Sequence, residues 1–145
     1  MPHLTLTISP EDPLIDLAVG VSKPRADALM ANSLSVPPPM RIRALIDTGA
    51  SCTCVDSDVL SQLALSPTGN VQIHTPSTSG SPHSCNQYDI SLMLLHPNLT
   101  LTFGVVPVIE SNLISQGIQA LIGRDLLTRC LFVYDGSAGA FALAF

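Results

Sequence analysis

The residues best equipped for chemistry sit in two short stretches. In ALIDTGAS (44–51) large aliphatics run straight into Asp47, which is followed by Thr48, Gly49 and the small Ala50. A carboxylate placed there can take a proton from water as a general base. The glycine lets the backbone pass close beneath it and donate a hydrogen bond. The same three residues also read as a plain strand-ending turn, because Asp and Gly are common turn formers. The second stretch, ALIGRDLL (120–127), tips the balance, since an apolar run again meets a glycine and Arg124 and Asp125 follow it. A third set, Cys52, Cys54, His74, His83 and Cys85, holds enough soft ligands for zinc. Its spacing argues against a metal, because paired cysteines in structural zinc sites usually have two to four residues between them.

The elements that must position these groups are mostly strands. HLTLTI (3–8) alternates strictly, LIDLAVGV (14–21) nearly so, and MRIRALI (40–46) sets Arg41 and Arg43 against Met40 and Ile42. Residues 22–39, with a short helical piece near Ala26–Ala31 and a triple proline, read as a surface insertion. DSDVLSQLAL (56–65) opens on capping residues and carries Val59, Leu60 and Leu63 at helical spacing. VQIH (71–74) and YDISLML (88–94) flank a Ser, Thr, Gly and Pro segment, which predicts a long hairpin with its tip at 75–84. LTLTFGVVPVI (99–109) predicts a further strand, and ALIGRDLLTRCLFVYDG (120–136) a strand, a short helix and another strand. GAFALAF closes the chain with alternating Phe141, Leu143 and Phe145.

Bulk properties limit what such a chain can do. At 145 residues, one domain over 1–145 is expected. Hydrophobic residues make up 46% but aromatics only 4%, so Leu, Ile, Val and Ala must build the core. Twelve prolines and nine glycines cut those aliphatics into short pieces, which favours strands over long helices. The net charge of -5, with six Lys and Arg, leaves no basic patch for phosphates, so nucleic acid is not an expected partner. The amino terminus lacks the pattern of a secretory signal, and no apolar run reaches membrane-spanning length. A cytoplasmic protein without a membrane partner is expected, with its four cysteines as free thiols. Asn98-Leu99-Thr100 is a formal glycosylation sequon without weight in that setting.

Taken together, ALIDTGAS early, ALIGRDLL about 75 residues later and a polar-tipped hairpin between them resemble the retropepsins, the single-domain aspartic proteases of retroviruses and their cellular and bacterial relatives. NQYDISLML sits where that family has the strand leaving its flap, and HLTLTI and AFALAF where it has terminal strands. The resemblance implies a mostly β, closed barrel-like fold with a flap hairpin and one short helix in the C-terminal half. It implies an aspartic endopeptidase in which two carboxylates share a proton, one activating water and the other polarising the scissile carbonyl.

Only one Asp-Thr-Gly occurs, so the resemblance implies a homodimer with one Asp47 from each copy. Asp47, Thr48 and Gly49 are then the catalytic loop, with Thr48 bonding across the dimer. Ala50 and the flap residues Ser79, Gly80 and Ser81 would contact an extended peptide substrate, and Gly123, Arg124 and Asp125 would brace the loop. Ala50 adds no hydroxyl to the carboxylate, so a dyad less acid-shifted than one flanked by serine is expected. No metal or organic cofactor is implied. Two features depart from the viral pattern. The flap tip STSGS (77–81) has Gly80 alone where viral flaps carry several glycines. Ser51 and Cys52 stand where an acid would pair with the arginine, leaving Arg124 to meet Asp56 or to brace backbone carbonyls. Ile46, Val71, Ile73 and Val106–Ile109 are the candidate pocket lining. The alternative is a catalytically weak or inactive dimer of the same fold serving as a peptide-binding module. The terminal strands are compatible with pairing between subunits or within one.

Overall fold

The structure is a computed structural model, which describes residues 1–8, 12–75 and 80–145. Alternation decides most of its strands. In β1 (His3–Thr7) Leu4 and Leu6 turn towards the core and the three residues around them face water. In β2 (Leu14–Val21) Ile15, Leu17 and Val19 are buried. A helix, α1 (Lys23–Ala31), follows with Pro24 in its first turn and no buried residue, so it sits on the surface. β3 (Met40–Ile46) buries Ile42, Ala44 and Ile46 and turns Arg41 and Arg43 outward, where both meet Asp16 of β2 at 3.1 and 3.6 Å. After the Asp47 loop come β4 (Cys54–Asp56) and α2 (Ser57–Gln62), whose Val59 and Leu60 are buried with the following Leu63.

β5 (Gly69–Ile73) and β6 (His83–Leu94) form the hairpin, paired from Gly69–Gln87 to Ile73–His83. Its connecting segment is therefore 74–82, and His83 and Ser84, expected in the tip, are strand residues. β7 (Leu101–Ser111), β8 (Ala120–Ile122), α3 (Arg124–Leu127), β9 (Leu131–Asp135) and β10 (Ala140–Ala144) complete the order. The strands β2, β3, β8, β4, β7 and β6 succeed one another around a ring, which closes where β6 pairs with β2. β6 is long enough to do both jobs: its second half closes the barrel and its first half carries β5 outward.

The second sheet has the order β1, β10, β9. β1 pairs with β10 within the chain, from His3–Ala144 to Thr7–Ala140, which decides the pairing of the termini. Phe141 and Leu143, each 1% exposed, carry that sheet's apolar face into the barrel core. Among the described residues no helix is long and apolar enough to cross a membrane.

One buried carboxylate ties the segments behind the barrel. Asp56 is 1% exposed and caps α2, its Oδ1 accepting from the Asp58 N–H at 2.9 Å. Its Oδ2 accepts from the N–H groups of Leu113 and Ile114 at 2.7 and 2.8 Å. Burial alone would raise this carboxyl, but the three N–H donors outweigh burial and hold it below its ordinary value of 3.8. A lowered native value means that its stabilisation is complete above pH 3.8 and fades as pH falls through the lowered value. Asp56→Asn is expected to cost about 2–3 kcal/mol at neutral pH. Urea unfolding of both proteins should show the gap closing in strong acid; a gap independent of pH would contradict the role of the charge.

Candidate active site

The Asp47 loop owes its position to two identical tripeptides. Ala44-Leu45-Ile46 of β3 and Ala120-Leu121-Ile122 of β8 pair in parallel, residue for residue. Both chains leave the barrel at the same edge, so the loop after β3 and the start of α3 lie side by side. The Asp47 N–H continues the ladder by donating to the Ile122 carbonyl at 3.0 Å. The chain then turns sharply, with the Ala50 N–H donating to the Asp47 carbonyl at 3.2 Å and the Gly49 N–H to Asp47 Oδ1 at 2.8 Å. A Cβ at position 49 would stand 3.1 Å from that oxygen, closer than ordinary van der Waals contact, so glycine leaves the carboxylate its place.

Gly123, Arg124 and Asp125 hold the loop from the α3 side. A Cβ on Gly123 would come within 2.5 and 2.6 Å of the Cys52 carbonyl carbon and oxygen, so only glycine allows this approach. Arg124 donates from its backbone N–H to the Ala50 carbonyl at 2.9 Å. Its Nη1 donates to the carbonyls of Thr48 and Gly49 at 2.8 and 3.1 Å. The arginine therefore meets backbone oxygens, while Asp56, the other partner considered, is committed to α2 and the 113–114 backbone. Asp125 accepts from the Thr53 N–H at 2.9 Å and from Thr53 Oγ1 at 2.8 Å, and caps the Leu126 N–H at 2.9 Å. Its oxygens are occupied by these bonds, and it does not border the cleft beside Asp47.

Asp47, Gly49 and Ala50 line a cleft of about 600 Å³ that runs between this loop and the β5–β6 hairpin. Ser51, Cys52, Cys54, Ile109, Glu110, Ser111 and Leu121 border it on one side; Ile73, His74, Thr75, His83 and Cys85 border it on the other. The pattern of the retroviral aspartyl protease family matches residues 9–132. The chain belongs to that family.

Among solved structures, this family member is similar to a retropepsin-like aspartic protease from Rickettsia conorii, with 15% identity, a TM-score of 0.62, and 99% of this chain and 91% of the other covered. At that identity the likeness establishes a retropepsin-like fold. It is also similar to EIAV protease complexed with the inhibitor HBY-793, at 13% identity and a TM-score of 0.47 over 86% of this chain and 93% of that one. No curated protein matches it in sequence.

Within this retropepsin-like fold the remaining candidate residues scatter. Thr48 is exposed on the loop. Gly80, at φ +81°, and Ser81 are exposed at the hairpin tip and do not border the cleft; Ser79 lies outside the described residues. Of the expected lining, Ile73 and Ile109 reach the cleft, whereas Ile46, Val106 and Val108 are spent on the barrel core. The resulting walls are more polar than an all-aliphatic pocket, with His74, His83, Glu110 and Ser111 among the apolar groups. Cys52, Cys54, His74, His83 and Cys85 all border it, yet among the described residues no three or more His, Cys, Asp and Glu side chains converge to hold a metal.

Thr53 is the residue that sequence reasoning missed. It is fully buried, and besides its two bonds to Asp125 its Oγ1 accepts from the Gly123 N–H at 3.2 Å. The only available signal was a hydroxyl between two cysteines, and nothing in the spacing pointed 72 residues ahead to Asp125. Thr53→Val is expected to lower stability by about 2 kcal/mol, because it strands buried polar groups while keeping the side chain's shape. Thr53→Ser should recover most of that loss in urea unfolding; a valine variant as stable as wild type would show that the hydroxyl contributes nothing.

Proposed function

We propose that the protein is an aspartic endopeptidase acting as a homodimer, with Asp47 of each subunit facing the other across a two-fold axis. The observation that carries this reading is the placement of Asp47: one carboxylate, held on the parallel-strand junction by a backbone donor, opens onto a cleft of about 600 Å³. One such loop per chain supplies one carboxylate, and the water-activating pair needs two. In the paired site the ionised Asp47 takes a proton from water, and the oxygen attacks the scissile carbonyl carbon. The protonated Asp47 hydrogen-bonds to the carbonyl oxygen as negative charge develops there. Collapse of the tetrahedral intermediate breaks the C–N bond as the amine nitrogen takes up the proton that the first Asp47 drew from water, which returns that carboxylate to its ionised form.

In this reading the β5–β6 hairpin is the flap, and the peptide lies as a strand beneath it with side chains falling alternately to either wall. Support for a second copy comes from β9, an edge strand of the small sheet. Its Leu131, Val133 and Tyr134 are 57%, 49% and 52% exposed, an apolar edge of the kind that pairs with another chain.

The deciding experiment is cleavage of an unbiased peptide library by wild type and Asp47→Asn, from acid to neutral pH, at concentrations where sedimentation shows dimer. Turnover by wild type and a loss on the order of 10³-fold in a dimeric Asp47→Asn is the expected result. A dimeric wild type that cleaves nothing would leave a peptide-binding module of the same fold. Val133→Lys, which sets a charge on the β9 edge, should shift sedimentation to monomer and remove turnover with it; a dimeric, active Val133→Lys would place the interface elsewhere.

A further inference from the structure

Glu110 stands on the wall of the Asp47 cleft, and water activation by Asp47 makes no use of it. It lies near the end of β7, where parallel pairing with β4 sets it opposite the fully buried Val55, so the barrel fixes its backbone. Its side chain is half-buried and held from β6, with Asn86 Nδ2 donating to Glu110 Oε2 at 2.8 Å. Tyr88, buried two residues further along β6, feels the same carboxylate: burial first and the Glu110 charge second raise its hydroxyl. Both neighbours are neutral.

Past Glu110 the cleft adjoins a second pocket of about 360 Å³, and the two share His83, Cys85, Glu110 and Ser111. That volume is of the size that holds a small ligand or one long side chain. Hydroxyls and amides of Ser57, Ser84, Asn86 and Asn112 complete its walls. Among the described residues neither lining includes a Lys or Arg. The cations are engaged or remote. Lys23 pairs with Asp27, Arg41 and Arg43 with Asp16, and Arg124 holds loop carbonyls. Arg129 lies over the Phe103 ring, and Arg25 is exposed on α1. Among the described residues Glu110 therefore has no ion-pair partner.

Such a carboxylate discriminates between ligands. A peptide lying in the cleft covers it and takes water from it. A neutral side chain there would leave the charge desolvated and unpaired, whereas a cationic one pairs with it. We propose that Glu110 is the specificity-determining residue of this cleft, selecting peptides that carry an arginine or lysine able to enter the adjoining pocket. The guanidinium or ammonium meets the carboxylate, and the hydroxyls and amides of the pocket take its remaining N–H donors. This role rests on the reading of the cleft as a peptide site.

The test is capture of a peptide library by full-length Asp47→Asn at neutral pH, at concentrations where sedimentation shows dimer. One position at a time carries arginine, lysine, glutamate or citrulline, the neutral counterpart of arginine, and bound peptides are sequenced by mass spectrometry. With position 47 neutral, Glu110 is the carboxylate left on the lining among the described residues. Arginine and lysine should be enriched at fixed positions along the peptide, with arginine ahead of citrulline on the order of tenfold. The enrichment should disappear in the Asp47→Asn, Glu110→Gln double variant, whose new amide keeps an oxygen for Asn86. No captured peptide, no excess of arginine over citrulline, or an excess that survives in the double variant would overturn the proposal. The arginine-to-citrulline ratio in Asp47→Asn reads the charge without any change at position 110. Cleavage of the same library by wild type separates the two readings. A wild type that cuts without basic preference would refute the specificity role and leave proteolysis standing. Basic peptides captured through Glu110 that wild type never cuts would refute proteolysis and leave the specificity role standing.

Discussion

The parallel pairing of Ala44–Ile46 with Ala120–Ile122 is the constraint on which the rest of the structure depends. Parallel strands need a long connection, and the 70-odd residues between these two supply it by building half of the barrel's strands, β4, β6 and β7, on the way. Because the two strands run in the same direction, their ends release two loops at one edge of the barrel. One brings Asp47 and Gly49; the other brings Gly123, Arg124 and Asp125. An antiparallel arrangement would have put these groups at opposite ends.

What the pairing brings together, hydrogen bonds then lock. The Asp47 loop exposes backbone carbonyls that a barrel edge cannot satisfy, and Arg124 meets three of them with side chain and backbone. Asp125 is drawn the other way, into Thr53 and the first turn of α3. Of the two carboxylates near the junction, then, one is spent on structure and one opens onto the cleft. Asp56 performs a similar task on the far side of β4. Among the described residues no buried side-chain nitrogen or oxygen lacks a partner, so the polar groups buried beneath the site are satisfied within the protein.

Legibility in the sequence followed the physics of each signal. Alternation, nearly complete in Leu14–Val21 and carried by Arg41 and Arg43 in Met40–Ile46, identified both strands to the residue, because a half-buried strand repeats every two positions. The Asp56 cap and the Val59, Leu60 and Leu63 stripe marked α2. β4, only three residues long and entered from polar neighbours, had too few positions to show a period. The hairpin's strands also outran their apolar cores. His83 and Ser84 are paired in β6 by backbone hydrogen bonds that ignore side-chain polarity, so they read as tip.

The sequence by itself determined the fold class, the Asp-Thr-Gly loop, and the second apolar-Gly-Arg-Asp segment that accompanies it, since these are local patterns of residue type and spacing. Only the tertiary structure decided that Arg124 braces carbonyls, that Thr53 anchors Asp125, that β1 and β10 pair within one chain, and that three thiols share a cleft with Asp47. Each of those facts joins residues far apart along the chain. Their meeting is set by strand register and barrel closure, and a contact between such distant positions leaves no periodic mark on either one.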